Sequence, residues 1–75
     1  MSLQIKAWLR ESSAEERVRV AAAAVTTVDY LYQLAGEHRK ASIELAKRLE
    51  RASNGALTLA GIRPDLYQLL SPDAA

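Results

Sequence analysis

Residues 17–36 read RVRVAAAAVTTVDYLYQLAG, and the architecture of the chain turns on how this stretch bends. Four successive alanines, Ala21 to Ala24, favour helix and leave a flat surface on which another helix can lie close. Thr26 and Thr27 interrupt that pattern. β-Branched hydroxyl residues are mediocre inside helices but good N-caps, so Thr27 opens a new helix. On it Leu31, Leu34 and Ala35 point one way and Asp29, Tyr32 and Gln33 the other, with Val28 on the boundary. Gly36 is the stop, as glycine is where a helix ends in a left-handed residue. The stretch is a helix, a corner of about three residues and a second helix.

Working back towards the N-terminus, Ser13 followed three residues later by Glu16 forms a capping box that starts the earlier of these helices at Ala14. Its apolar stripe is Val18, Ala21, Ala22 and Val25, with Val20 and Ala24 beside it. Before it, Leu3 to Glu11 forms a first helix with Ile5, Trp8 and Leu9 on one face and Lys6 and Arg10 one turn apart on the polar side. Trp8 reads as a core anchor rather than a stacking platform.

Towards the C-terminus, Glu37 to Ala41 is a polar, basic connection. Ser42 caps a fourth helix that turns Ile43, Leu45, Ala46, Leu49 and Ala52 inward and ends at Asn54-Gly55. Thr58 caps one further turn through Gly61. Arg63-Pro64-Asp65 breaks that turn and fixes the chain's direction, with Arg63 in reach of a nearby carbonyl. Leu66, Tyr67, Leu69 and Leu70 either cover the monomer core or form a dimer seam, and residues 71–75 are a frayed tail. No segment has strand periodicity. The expected fold is all-α, a compact arrangement of four to five helices in one domain over residues 1–70.

Composition narrows the function classes. Seventy-five residues hold one core, and a chain of this size buries only ~60% of its unfolded surface, so dimerisation would add stability. The absence of cysteine excludes disulfides and cysteine-ligated metal centres. His38, the lone histidine, has no second ligand at metal spacing, so neither a metal nor another cofactor is expected. The longest apolar run, Val20 to Val25, is too short for a membrane span or a signal-peptide core, which fits a cytoplasmic protein. With no glycine-rich phosphate loop and no supported nucleophile–base pair, and with Ser12 and Ser13 explained by capping, the chain does not read as an enzyme. Nothing suggests a small-molecule effector pocket.

The net charge of +1 is uninformative, but its distribution is not. His38, Arg39, Lys40, Lys47, Arg48 and Arg51 lie close together, interrupted only by Glu44 and Glu50. Alone, this run reads as a solvated face with helix ion pairs such as Glu44 with Arg48.

With Ala21 as the small residue of the first helix of the pair, Leu31 and Leu34 as the later apolar residues, and Val20 and Ala24 completing the packing set, the chain resembles the lambda-repressor-like family of phage repressors and Cro proteins. The segment ELAKRLERASNGALT followed by RPDLY resembles its YdaS/Cro-like branch of prophage regulators. The resemblance spans roughly Ser13 to Tyr67 and implies a helix-turn-helix at about 17–36. It departs at two places. The family's corner glycine is Val25 here, and a β-branched residue at positive φ is costly, so either the second helix runs on by about one residue or the corner takes another backbone shape. The opening position, commonly a phosphate-binding glutamine, is Arg17.

The resemblance implies a regulator of a prophage or mobile element that occupies an operator, with its third helix in the DNA major groove. Thr27 would contact a phosphate or a base edge, Val28 a thymine methyl, and Gln33 would pair with an adenine. Tyr32 would bond a phosphate or pack on sugar, unless it is simply an exposed aromatic. Asp29 would accept from a cytosine amino group or only complement its helix dipole. Arg17, Arg39 and Lys40 would hold phosphates, while Lys47, Arg48 and Arg51 stay solvated. A homodimer would set two third helices about one turn (~34 Å) apart on a palindromic double-stranded site. The competing reading is a protein-interaction module, such as the small partner of a toxin–antitoxin pair, using the alanine-rich helix and the leucine tail.

Overall fold

Four hydroxyl side chains decide where helices begin. In the computed structural model, which describes residues 3–65, Ser13 accepts the Glu16 N–H, Thr27 that of Tyr30, Ser42 that of Leu45 and Thr58 that of Gly61, at 3.0–3.1 Å. Each satisfies a donor that the first helical turn cannot. The helices they open are α2 (Ala14–Ala23), α3 (Val28–Ala35), α4 (Ile43–Ala52) and α5 (Leu59–Ile62), preceded by α1 (Leu3–Glu11). No strand occurs among the described residues. The fold is all-α, consistent with a small helix-turn-helix domain.

Three of these helices end alike. After α2, α3 and α4 the chain reverses through Val25 (φ 60°), Glu37 (φ 63°) and Asn54 (φ 55°). The N–H of each left-handed residue returns to the carbonyl three back, and the next N–H to the carbonyl five back: Val25 to Ala22 and Thr26 to Ala21, Glu37 to Leu34 and His38 to Gln33, Asn54 to Arg51 and Gly55 to Glu50. These are Schellman caps, which pair carbonyls that the helix leaves open. Two of these reversals differ from the expectation. Gly36 keeps φ at −85° and Glu37 makes the reversal instead. At the corner, Val25 itself takes the left-handed shape, so α2 neither runs on nor avoids positive φ.

α1 lies against α3 and α5, α2 against α3 and α4, and α4 against α5. Ile5, Val20, Leu31, Leu49 and Leu57 are completely enclosed, and Trp8 and Leu9 are buried with them. The inward stripe of α2 differs from the one read from hydrophobicity: Val20, Ala21 and Ala24 are buried, whereas Val18 and Val25 are 60% and 77% exposed and Ala22 is exposed. Arg17 belongs to the same stripe, one turn before Val20 and Ala21. Its Nη1 donates to the carbonyls of Leu9, at 3.0 Å, and Ser12, closing the C-terminal end of α1. Ser13 is a cap as expected, but Ser12 is not. Its hydroxyl is buried without a partner among the described residues.

The first and last of the described helices are tied together. Gln4 of α1 accepts the Thr58 N–H at 2.8 Å, and Glu50 accepts the Leu59 N–H at 2.8 Å, so α4 and α1 both hold the start of α5. Gly61 allows this, because a Cβ there would collide with the Gln4 carboxamide. Arg63 donates to the Ala41 carbonyl and grips Asp65 through Nε and Nη2 at 3.1 and 3.0 Å. The Asp65 hydrogen bonds raise the Arg63 pKa above its ordinary value. Arg63 therefore fixes both the C-terminal turn and the loop before α4. The dimer candidates Leu66, Tyr67, Leu69 and Leu70, and the tail at 71–75, lie outside the described residues.

Candidate nucleic-acid interface

The outer face of α3 follows from its inner one. Leu31, Leu34 and Ala35 are buried, which at helical spacing turns Asp29, Tyr32 and Gln33 to solvent. Val28, on the boundary, is half-buried against the core, and Thr27 is exposed while its hydroxyl caps the helix. Tyr32 is 51% exposed, and Asp29 stands in the first turn, where a carboxylate favours the positive end of the helix. Of the residues expected to meet DNA, Asp29, Tyr32 and Gln33 therefore share the solvent side of α3, Thr27 is exposed at its N-cap, and Val28 packs half-buried at the boundary.

The cap after α3 shapes the rest. Because Glu37 reverses the chain and the His38 N–H returns to the Gln33 carbonyl, the next residue comes back over the last turn. Arg39 Nε donates to Gln33 Oε1 in a long hydrogen bond of 3.4 Å. The His38 ring lies over the Gly36 Cα, where a Cβ would come within 2.9 Å of it. Arg39 and Lys40 are both exposed. Arg17, expected beside them as a phosphate contact, is instead half-buried with its Nη1 on two carbonyls.

Of the cations expected to be solvated, Lys47 and Arg51 are exposed. Arg48 is not one of them. Its Nε donates at 2.8 Å to the carbonyl of Ala24, the C-cap of α2, and so pins the α2–α3 corner to α4. Sequence spacing pointed Arg48 at Glu44 because helix neighbours are visible locally, and a partner 24 residues away is not. On the other side of α3, Lys6 and Arg10 of α1 rim a groove of about 340 Å³ floored by Leu9 and Ala35 and bounded by Tyr32. Cations from α1 and from the loop after α3 thus border α3 on two sides. Among the described residues no three His, Cys, Asp or Glu side chains gather as a metal site, and no helix is long and apolar enough to cross a membrane.

No protein-family profile matches the chain, and no solved structure matches it either. A curated relative does. The chain is 35% identical over 63 residues to a prophage transcriptional regulatory protein of Escherichia coli (strain K12), an alignment covering 84% of this chain and 96% of the relative. With that identity over nearly the whole of the relative, the chain belongs to the family of prophage transcriptional regulatory proteins.

Proposed function

We propose that this protein is a sequence-specific double-stranded DNA-binding regulator of the Cro/repressor type, in the YdaS/Cro-like branch, acting on a prophage or mobile element. The observation that carries the reading is the division of α3. Its apolar side is sealed against the core, and its other side offers Asp29, Tyr32 and Gln33 with Arg39 and Lys40 next in the chain. The name of the curated relative supports a transcriptional role, which is not an enzyme class.

In this reading residues 1–70 form one domain whose helix-turn-helix is α2 and α3, and α3 enters the major groove N-terminus first. Thr27, Val28, Asp29 and Gln33 meet base edges, and Tyr32 meets sugar or phosphate. Arg39 and Lys40 hold the backbone, with Arg17 adding charge while its Nη1 keeps the two carbonyls. Phosphate contacts supply affinity and register, and the base-edge contacts supply discrimination. Two copies, joined through Leu66, Tyr67, Leu69 and Leu70, bind a palindromic operator in the cytoplasm.

The test is selection from a random DNA pool at two salt concentrations, followed by affinity measurement on the enriched site. The reading expects a palindromic consensus and a steep loss of affinity with salt. A pool that enriches nothing at either salt refutes it. The second reading, a protein-binding module, rests on the exposed Val18, Ala22 and Val25 of α2 and its corner. It expects instead a partner complex insensitive to salt and lost on Val18→Glu.

A further inference from the structure

The contact between Gln33 and Arg39 bears on which base the proposed interface reads, and its significance there rests on the DNA-binding reading. A free glutamine amide offers the groove a carbonyl acceptor and an NH₂ donor, the pattern complementary to the N6 donor and N7 acceptor of adenine. The Gln33 amide is not free. Its Oε1 faces Arg39 Nε at 3.4 Å, because the Glu37 reversal and the His38-to-Gln33 backbone hydrogen bond bring residue 39 back over the last turn of α3. Both side chains are exposed.

The arrangement fixes the sense of the amide. With Oε1 engaged by Arg39 Nε, the amide has its NH₂ group left to offer, and an arginine bonded through Nε still has two NH₂ groups as donors. The pair presents donors and positive charge and turns its one acceptor inward. In the major groove, guanine offers two adjacent acceptors, N7 and O6. Adenine offers N7 beside a donor, which opposes a donor-only surface. Entering the groove removes water from the pair, and a hydrogen bond with an ionised donor strengthens there.

We infer that Gln33 and Arg39 act as one unit that selects guanine, with Arg39 positioning the amide rather than serving only as a phosphate contact. Lys40 remains the backbone cation of the loop.

The experiment is pool selection and affinity measurement on the full chain for wild type, Arg39→Ala, Arg39→Lys and Gln33→Ala. Far-UV circular dichroism checks that each of these surface variants folds. Wild type should prefer guanine over adenine by about tenfold or more at one position of each half-site. Gln33→Ala should relax that same position. Arg39→Ala frees Oε1 and should move the preference there to adenine. Arg39→Lys keeps the charge without the planar fork and should restore affinity but not the guanine preference.

Two results overturn the inference while leaving DNA binding intact. One is adenine as the wild-type choice at the position Gln33 controls. The other is an Arg39→Ala variant that weakens every sequence equally with preferences unchanged. Failure of wild type to bind any DNA overturns the inference together with the reading beneath it.

Discussion

Replacing Val25 by glycine should make the protein more stable, although it removes an apolar side chain. Val25 sits at φ 60°, a region that costs an L-residue about 1–3 kcal/mol, with β-branched residues in the upper part of that range. Taking ~2 kcal/mol as the strain relieved, two losses offset it. Glycine is freer in the unfolded chain, which costs about 0.5–1 kcal/mol. The side chain is 77% exposed, so only a quarter or so of the ~1.5–3 kcal/mol for burying a valine is forfeited. The balance is a gain of roughly 0.5–1 kcal/mol, or a rise in Tm of a few degrees for a domain of this size. Val25→Asn should also stabilise, since asparagine tolerates this backbone and Asn54 already occupies the equivalent place after α4. Thermal and urea denaturation followed by circular dichroism give both numbers, with Ala22→Gly inside α2 as a control that should lose about 1 kcal/mol. If both position-25 variants are less stable than wild type, Val25 is not in the left-handed conformation and the corner has another shape.

Other perturbations probe the ties around that corner and the interface. Gly61→Ala should destabilise by about 1–3 kcal/mol in urea denaturation, because the new Cβ displaces the Gln4 carboxamide from the Thr58 N–H; in a Gln4→Ala background the same change should cost much less. Arg48→Met, which keeps the aliphatic stem, should lose about 1–2 kcal/mol by leaving the Ala24 carbonyl without its guanidinium donor. In binding assays Gln33→Ala should cost about 1–3 kcal/mol on the preferred site and relax one base position, whereas Lys40→Ala should weaken all sequences alike and flatten the salt slope by about one.

What the sequence made legible was local. Ser13, Thr27, Ser42 and Thr58 are recognisable as caps because a cap's partner lies three residues away, and all four cap in the structure. The two sides of α3 were readable for the same reason, since alternation between Leu31, Leu34 and Ala35 and their polar neighbours needs no distant information. The stripe of α2 shows where this fails. Hydrophobicity selects Val18, Ala21, Ala22 and Val25, of which Ala21 alone is buried; the buried line runs through Val20, Ala21 and Ala24, with Arg17 half-buried at its start because its guanidinium is aimed at the end of α1. The packing set named from the family resemblance, Val20, Ala21, Ala24, Leu31 and Leu34, is buried throughout. Ala41, Leu57 and Ile62 were hidden for a related reason. Each joins a core assembled from all the helices rather than from its own neighbours, and the Ala41 carbonyl is held by Arg63 from 22 residues away. Arg39 stands between these cases: its basic character was plain, but its contact with Gln33 depends on a left-handed Glu37 that no side-chain preference announces.

The arginines also bear on how many copies a DNA site would need. Arg17 and Arg48 both donate into carbonyls at helix ends, which leaves Arg39 and Lys40 as the exposed cations that directly follow α3. Each neutralised phosphate contributes about −0.9 to the slope of log K against log salt. Two such contacts per copy therefore give a slope of roughly −2, too shallow for tight occupancy at physiological salt from the backbone alone. A palindromic site filled by two copies doubles the slope to about −4 or steeper and gives each base contact a symmetric partner. A full site showing a slope of about −2 would mean that a single copy binds and that the described surface already contains the whole contact. A slope near zero would mean that the face bearing Arg39 and Lys40 never meets a phosphate backbone.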